Sequence, residues 1–590
     1  ANAFGIKQDG SVIAWGREWA EPSSIMDAVP YAIPAQFEKA APMTEGWALV
    51  SETGSETGYF IMDRNGANRA AKSYADYYFD RNSRGYSGSV SGYAPEILIH
   101  CILYDECGFR DRSGQRQSYG YVLVHEFVDG IAVFYNDGKY GAVDRTATFV
   151  IPPEYDFLDD FSEGMAYYRQ GDETGFIDLS GRKVFQFREK VNVQPFSEGL
   201  ALVSAFQRDA AYFVDKSGNI ALTLPRKYRL YRSFWEGLAV VAVADEKTAM
   251  YRYGAIDKQG NEIVKPQYSE MTDFSNGYAV VTDLNGKKGI IDRRGVEVIK
   301  PRYEDMRNFS EGYAAVKLNG KWGYVDMSGR MAIEPQFDSA RSFEAGAAWV
   351  EKDGRWGLID RSGRMLIKPQ FIRIGDRTSE GTMLVYKQTG WGYVLNPLDV
   401  PADWAKPEVD QAAALGLVPL SMQYHYGLPI TRAEFSKLAV KFIETKLGKP
   451  AQEIARERNI AIPASGVFSD TMDPDILTAY AFGIVGGIGD GKFNPDGKIT
   501  RQEAASLLAR TAGFAGIAPA PGAAGAGASF SDEDKIAGWA KSAVSLVTAL
   551  KDRSNGSYVM GGVGGGAFGP QGTYTREQAF ITMKRLFYAD

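Results

Sequence analysis

The sequence predicts a multidomain protein: an N-terminal all-β repeat array followed by a C-terminal all-α region. Three observations carry this. A unit of about 35 residues recurs through residues 1–397. After Pro397 the hydrophobic period changes from 2 to 3.6. The composition joins 65 Gly to 13% aromatic residues, a mixture suited to many short strands and tight turns. At 590 residues the chain is several times a typical domain.

The unit is plainest between residues 311 and 337. Tyr313 to Leu318 alternates like a half-buried strand, and Asn319-Gly320 is a type I′ hairpin dipeptide. Tyr324 to Asp326 is the return strand. Asp326-x-x-Gly329 is a turn in which the carboxylate bonds the backbone ahead. Met331 to Glu334 is a third strand, ended by Pro335, which cannot donate to a ladder. The Trp-Gly glycine returns at Gly323, Gly357 and Gly392, spaced by 34 and 35. Weaker copies at Gly5, Phe60, Gly108, Gly141, Gly175, Tyr212, Gly254 and Gly289 make about eleven units. A Pro-x-aromatic element returns at Tyr155, Tyr228, Tyr268, Tyr303, Phe337 and Phe371. A three-stranded meander cannot bury its own face, so neighbours must stack. Short units in this number fit an open, β-solenoid-like array, with propeller-like closure as the alternative.

The array shows no visible machinery for catalysis. Its recurring Asp residues suit turn capping better than a calcium ladder. The Trp322, Trp356 and Trp391 position also holds Lys288 and Thr174, which argues against deep core. It reads either as hairpin packing or as a row of aromatics for a sugar or partner. Cys101 and Cys107 flank a local turn of undetermined length, so a bond between them stays open. Two Cys and three His (His100, His125, His425) leave no expected metal or cofactor, and no paired-carboxylate site stands out. Net charge −7 gives no footprint for nucleic acid or an anionic membrane. No run of 18 apolar residues occurs, and the first residues lack a signal-peptide pattern.

In the C-terminal region Phe435, Leu438, Ala439, Phe442 and Ile443 share one helix face. Thr431-Arg432-Ala433-Glu434 opens that helix, and the pattern returns at Thr500 to Glu503 and Thr575 to Gln578 as three capping boxes. Capping asks nothing of Arg432, Arg501 and Arg576, and a cation in a first turn opposes the helix dipole by about 0.3–1 kcal/mol. Beside free first-turn N–H groups these arginines make three similar anion sites, suited to a carboxylate. The competing reading is a salt bridge to Asp403, Asp470 or Asp532. Gly486 to Gly491 and Gly561 to Gly566 follow helices and lack a Lys-Ser/Thr, so they read as turns.

Residues 1–397 resemble the WG (KWG) repeat family of bacterial proteins, which implies an interaction scaffold with an unidentified protein or glycan partner. Residues 398–590 resemble three S-layer homology (SLH) modules, at 398–452, 453–514 and 530–590, with an Ala/Gly/Pro linker at 515–529. That resemblance implies a pseudo-trimer whose grooves bind pyruvylated secondary cell-wall polymer on Gram-positive bacteria. The motif arginine then contacts the ketal-pyruvate carboxylate, which carries over to Arg432, Arg501 and Arg576. Asp403, Trp404, Asp470, Asp532 and Trp539 are the accompanying groove candidates. The first module lacks the Gly-x-Phe-x-Pro element seen at Gly491 to Pro495 and Gly566 to Pro570, and the second lacks the Trp. The expectation is a secreted, non-enzymatic cell-surface protein that displays its array from a wall anchor. A structural S-layer component and a carbohydrate-active enzyme are the alternatives.

Overall fold

The computed structural model describes strands from Ala3 onward and, with side chains, most of residues 128–518 and 529–589. Residues 64–96, 376–380 and 519–528 lie outside the described residues, and with them most of the expected linker.

Seven four-stranded antiparallel sheets follow one another between Val122 and Phe371. The unit is therefore four-stranded, not the three-stranded meander expected. In five of the seven sheets the added strand is two residues long, such as Ser339–Ala340, which pairs with Val350 and Glu351. Two residues carry no hydrophobic period, so nothing in the sequence marks them.

The array is joined end to end. Strand Tyr31–Ala40 pairs with Gly390–Leu395 on one side (Ile33↔Tyr393, Phe37↔Trp391) and with Trp47–Glu52 on the other. Ile33-Pro34-Ala35-Gln36-Phe37 is a variant of Ile333-Glu334-Pro335-Gln336-Phe337, so it supplies the strand that the last unit lacks. An open solenoid offers no such pairing, and none of the sheets closes on itself as a barrel.

The two repeat motifs prove to be cross-strand partners. Trp322 pairs with Phe337, Trp356 with Phe371, Tyr253 with Tyr268 and Lys288 with Tyr303. Trp322 is only 7% exposed and belongs to a core between two units, against the expectation for this position, whereas Tyr140, Tyr253, Lys288 and Trp356 are half-buried as expected. Lys288 is accommodated because its ammonium reaches Asp305 at 2.7 Å. The glycine of the motif has a steric cause. A Cβ on Gly323 would lie 2.4 Å from the Ile333 carbonyl oxygen, where the partner strand bulges before Pro335.

Neighbouring units are stitched at their Phe-Ser-Glu-Gly turns. The Glu198 carboxylate accepts from Gly237 N–H at 2.9 and 3.0 Å, and Glu163 and Glu311 do the same for Gly199 and Gly346. Asp326 accepts from the N–H groups of Ser328 and Arg330, and Asp178, Asp215, Asp257, Asp292 and Asp360 repeat this. The recurring Asp residues are thus turn caps. Cys101 and Cys107 pair directly in register, on strands joined by three residues, but their side chains lie outside the described residues.

The C-terminal region has helices α1 (Lys406–Ala414), α2 (Arg432–Leu447), α3 (Ala451–Glu457), α4 (Pro474–Ala481), α5 (Arg501–Ala515), α6 (Lys541–Ala549) and α7 (Arg576–Phe587). They share one hydrophobic core, in which Phe435, Leu438, Phe442 and Ile443 face inward as the period requires. The turns of the array rest on this region. Met472 is buried with array residues Ile131, Ile151 and Leu179, and its N–H donates to the Asp129 carbonyl at 2.5 Å.

Candidate functional site

The site candidates gather where α2, α5 and α7 begin. The three N-caps, Thr431, Thr500 and Thr575, each close a capping box with Glu434, Glu503 and Gln578. The preceding residues bond in a cycle. Ile430 N–H donates to Tyr574, Tyr574 to Ile499 and Ile499 to Ile430, at 2.9, 3.4 and 3.3 Å. Three helix starts, far apart in sequence, thereby share one centre.

The first-turn amides are not free. In α2 the Thr431 and Glu434 amides are held inside the capping box, while Arg432 and Ala433 donate to Gly497 and Pro495 at 2.9 and 3.0 Å. In α5 the corresponding acceptors are Gly572 and Pro570, and in α7 they are Leu428 and Tyr426. All four orphan donors of each helix are therefore satisfied. The expected anion sites at free N–H groups do not exist in this form, because the next segment's loop carbonyls occupy them.

Arg432 and Arg501 follow the same path, and Arg576 departs from it. Arg432 donates from Nε to Phe493 O at 2.8 Å and from Nη2 to Gly486 O at 2.6 Å, and its guanidinium lies over the Phe493 ring. Arg501 donates to Phe568 O at 2.9 Å and Gly561 O at 2.6 Å, over the Phe568 ring. Arg576 donates from Nη1 to Tyr424 O at 2.8 Å and is ion-paired through Nη2 with Glu434. The glycine-rich turns thus supply one carbonyl each to Arg432 and Arg501. No ion pair joins any of these arginines to Asp403, Asp470 or Asp532 among the described residues. For Arg432 and Arg501, Nη1 makes no hydrogen bond among the described residues.

Charge separates the three. Burial pulls the Arg432 and Arg501 guanidinium pKa values down; Glu503 and Asp470 push back at Arg432, Tyr574 and Asp532 at Arg501. At Arg576 burial acts the same way, but the Glu434 partner outweighs it. Arg501 is 7% exposed.

Asp470 and Asp532 brace the loops that hold the arginines. Asp470 accepts from Phe493 and Asn494 N–H at 2.8 and 2.7 Å, and Asp532 from Phe568 and Gly569 N–H at 2.7 and 2.9 Å. Those two backbone bonds hold the Asp532 carboxyl below the usual range. Asp403 makes no such contact; it is exposed, and Asp399 does the bracing by accepting from His425 N–H at 2.7 Å. Asp399 is thus the carboxylate that braces the third loop. The Gly-x-Phe-x-Pro element has a counterpart here as well, since Tyr424-His425-Tyr426 bonds to α7 as Phe568-Gly569-Pro570 bonds to α5. His425, Asn494 and Gly569 share the left-handed turn conformation, at φ 49, 60 and 69°.

Trp404 and Trp539 each stand one residue before the first residue capping α1 and α6, and they are 62% and 60% exposed. The corresponding residue before the cap of α4 is Met472, buried at 3% against the array.

Known proteins match both halves of the chain. The WG containing repeat matches at residues 140–173, 253–287, 289–322, 322–356 and 356–388, and the S-layer homology domain matches at residues 469–505. "Exoglucanase XynX" of Acetivibrio thermocellus is 29% identical over 189 residues, 31% of this chain. The chain spans only 15% of the length of that relative. Among solved structures, virginiamycin B lyase from Staphylococcus aureus is 14% identical with a TM-score of 0.22, over 40% of this chain and 94% of that one. BamB from Moraxella catarrhalis is 11% identical with a TM-score of 0.24, over 56% and 98%. TM-scores this low have no bearing on function. Both matched families are non-catalytic. No helix among the described residues is long and apolar enough to cross a membrane. With an S-layer homology match that includes Arg501 at the start of α5, and five WG repeat matches before it, this is a cell-surface repeat protein.

Proposed function

We propose that the helical region is a pseudo-trimer of three modules that holds pyruvylated secondary cell-wall polymer, with the groove at Arg501 as its principal grip. The array is the displayed part, a scaffold for a protein or glycan. The observation that carries this reading is the state of Arg501. It is a buried cation, its Nη1 is unused, and no carboxylate pairs with it among the described residues. A buried charge left without a counter-charge is costly, and a ligand carboxylate on a guanidinium fork relieves that cost. Trp539, exposed on the segment that follows Asp532, offers a flat apolar face for a sugar ring. Trp404 and Asp399 stand ready at the Arg576 groove, but there Glu434 already fills the carboxylate's role. Several weak grips on one polymer add through effective concentration.

The test is a pull-down of the full chain on purified Gram-positive cell walls, untreated and stripped of pyruvylated polymer. Binding is expected to need the polymer and to fall at least tenfold in Arg501→Ala. Undiminished binding by Arg501→Ala, with the fold intact by circular dichroism, sinks this reading.

A further inference from the structure

The array does not hang free from the anchor. Its turns sit on the segments that brace two of the three arginines. At the first contact, Met472 N–H donates to Asp129 O, and a Cβ on Gly130 would lie 2.3 Å from the Met472 backbone. The neighbouring turn presses as closely, since a Cβ on Gly164 would lie 2.0 Å from Ser469 O. These residues flank Asp470, the brace of the Arg432 loop. At the second contact, Glu344 Oε1 lies 3.4 Å from His425 Nε2, and Gly346 packs on Leu398. His425 is the residue that Asp399 holds. At Asp532, Arg501 and Trp539 no array residue appears among the bonds of the described residues.

Sequence and contact agree on what this does. Where an exposed Trp precedes the caps of α1 and α6, the module seated most tightly on the array carries Met472, 3% exposed inside an array core. A Trp there would have to displace Ile131 or Ile151.

We infer that the Arg432–Asp470 site is withdrawn from wall binding and serves as the seat of the array, so that the docked chain grips polymer without it. The inference rests on the anchoring reading above and assigns this one site an intramolecular partner. Docking fixes the array rigidly against the anchor. Undocking returns the site to the wall.

The experiment uses the full chain, with wall binding by pull-down and docking by small-angle scattering. Arg432→Ala is expected to change binding less than twofold while Arg501→Ala lowers it at least tenfold. Met472→Asp is expected to enlarge the radius of gyration, and in that background Arg432→Ala is expected to cost at least threefold. Met472→Ser, which loses the buried contact without adding a charge, guards against misfolding. Arg432→Ala costing the docked chain as much as Arg501→Ala overturns the inference. So does an unchanged radius in both Met472 variants. If Arg501→Ala alone has no effect, the anchoring reading itself has failed, and the scattering result still decides whether the array is seated at Met472.

Discussion

Arg576 is ion-paired with Glu434, the third residue of α2, whereas the third residue of α7, which closes the cycle for Arg501, is the uncharged Gln578. One methylene-preserving difference, carboxylate against carboxamide, leaves the Arg501 charge for a ligand. Gln578→Glu keeps the capping box and gives Arg501 an internal partner. Wall binding in the pull-down is expected to fall several-fold with no loss of thermal stability. Unchanged binding would show that the charge at Arg501 is not what the polymer reads.

Gly323→Ala is expected to destabilise the array by about 2–3 kcal/mol, because its Cβ meets a bulged backbone that cannot give way. Gly354→Ala is the comparison. That residue has φ 70° with nothing within 4 Å, so only left-handed strain of about 1 kcal/mol applies. Denaturant unfolding of both variants separates the two costs.

Asp129 makes stability depend on pH. Burial lifts its carboxyl from 3.8 to about 6, helped by Asp470 and Asp496 and opposed by the Gly164 N–H and Lys216. The folded chain therefore keeps a proton that the unfolded chain releases between about pH 4 and 6. Stability falls as pH rises through that window and is level above it. Asp129→Asn is expected to flatten the profile and add up to about 3 kcal/mol at pH 7. Thermal melts at pH 4.5 and 7 check both the sign and the loss of slope.

Lys584 Nζ lies 2.5 Å from Asp552 Oδ2, with the two side chains 1% and 0% exposed. Lys584→Ala strands a buried carboxylate and is expected to cost about 3–5 kcal/mol. The double variant Lys584→Met with Asp552→Leu removes both charges and is expected to recover most of that loss in calorimetry.

How legible all this was depended on sequence distance. The capping boxes at Thr431, Thr500 and Thr575 and the Asp-x-x-Gly turns could be read because donor and acceptor lie within four residues. The brace of the first loop could not. Asp470 precedes its helix by four residues, Asp532 by nine and Asp399 by seven, so no fixed spacing points to it. The loop at Tyr424 was hidden for a related reason, since a left-handed turn usually announces itself with Gly or Asn and here uses His425. The Trp322–Phe337 pairing lay within one repeat, yet its burial came from the next repeat, which a single unit's pattern does not contain. Free helix N-termini were expected because the loops that cover them come from 62 to 151 residues away.

The pairing of Tyr31–Ala40 with Gly390–Leu395 carries a kinetic consequence. Closing a flexible loop between Phe37 and Trp391 costs about 5 kcal/mol in chain entropy if nothing between them has folded. That cost shrinks once the intervening sheets have stacked, so this contact forms last. During synthesis the early strand must wait for more than 350 residues to be made before its partner exists. Until then one edge of strand Tyr31–Ala40 is open, and the growing chain is at its most vulnerable to mispairing with another copy.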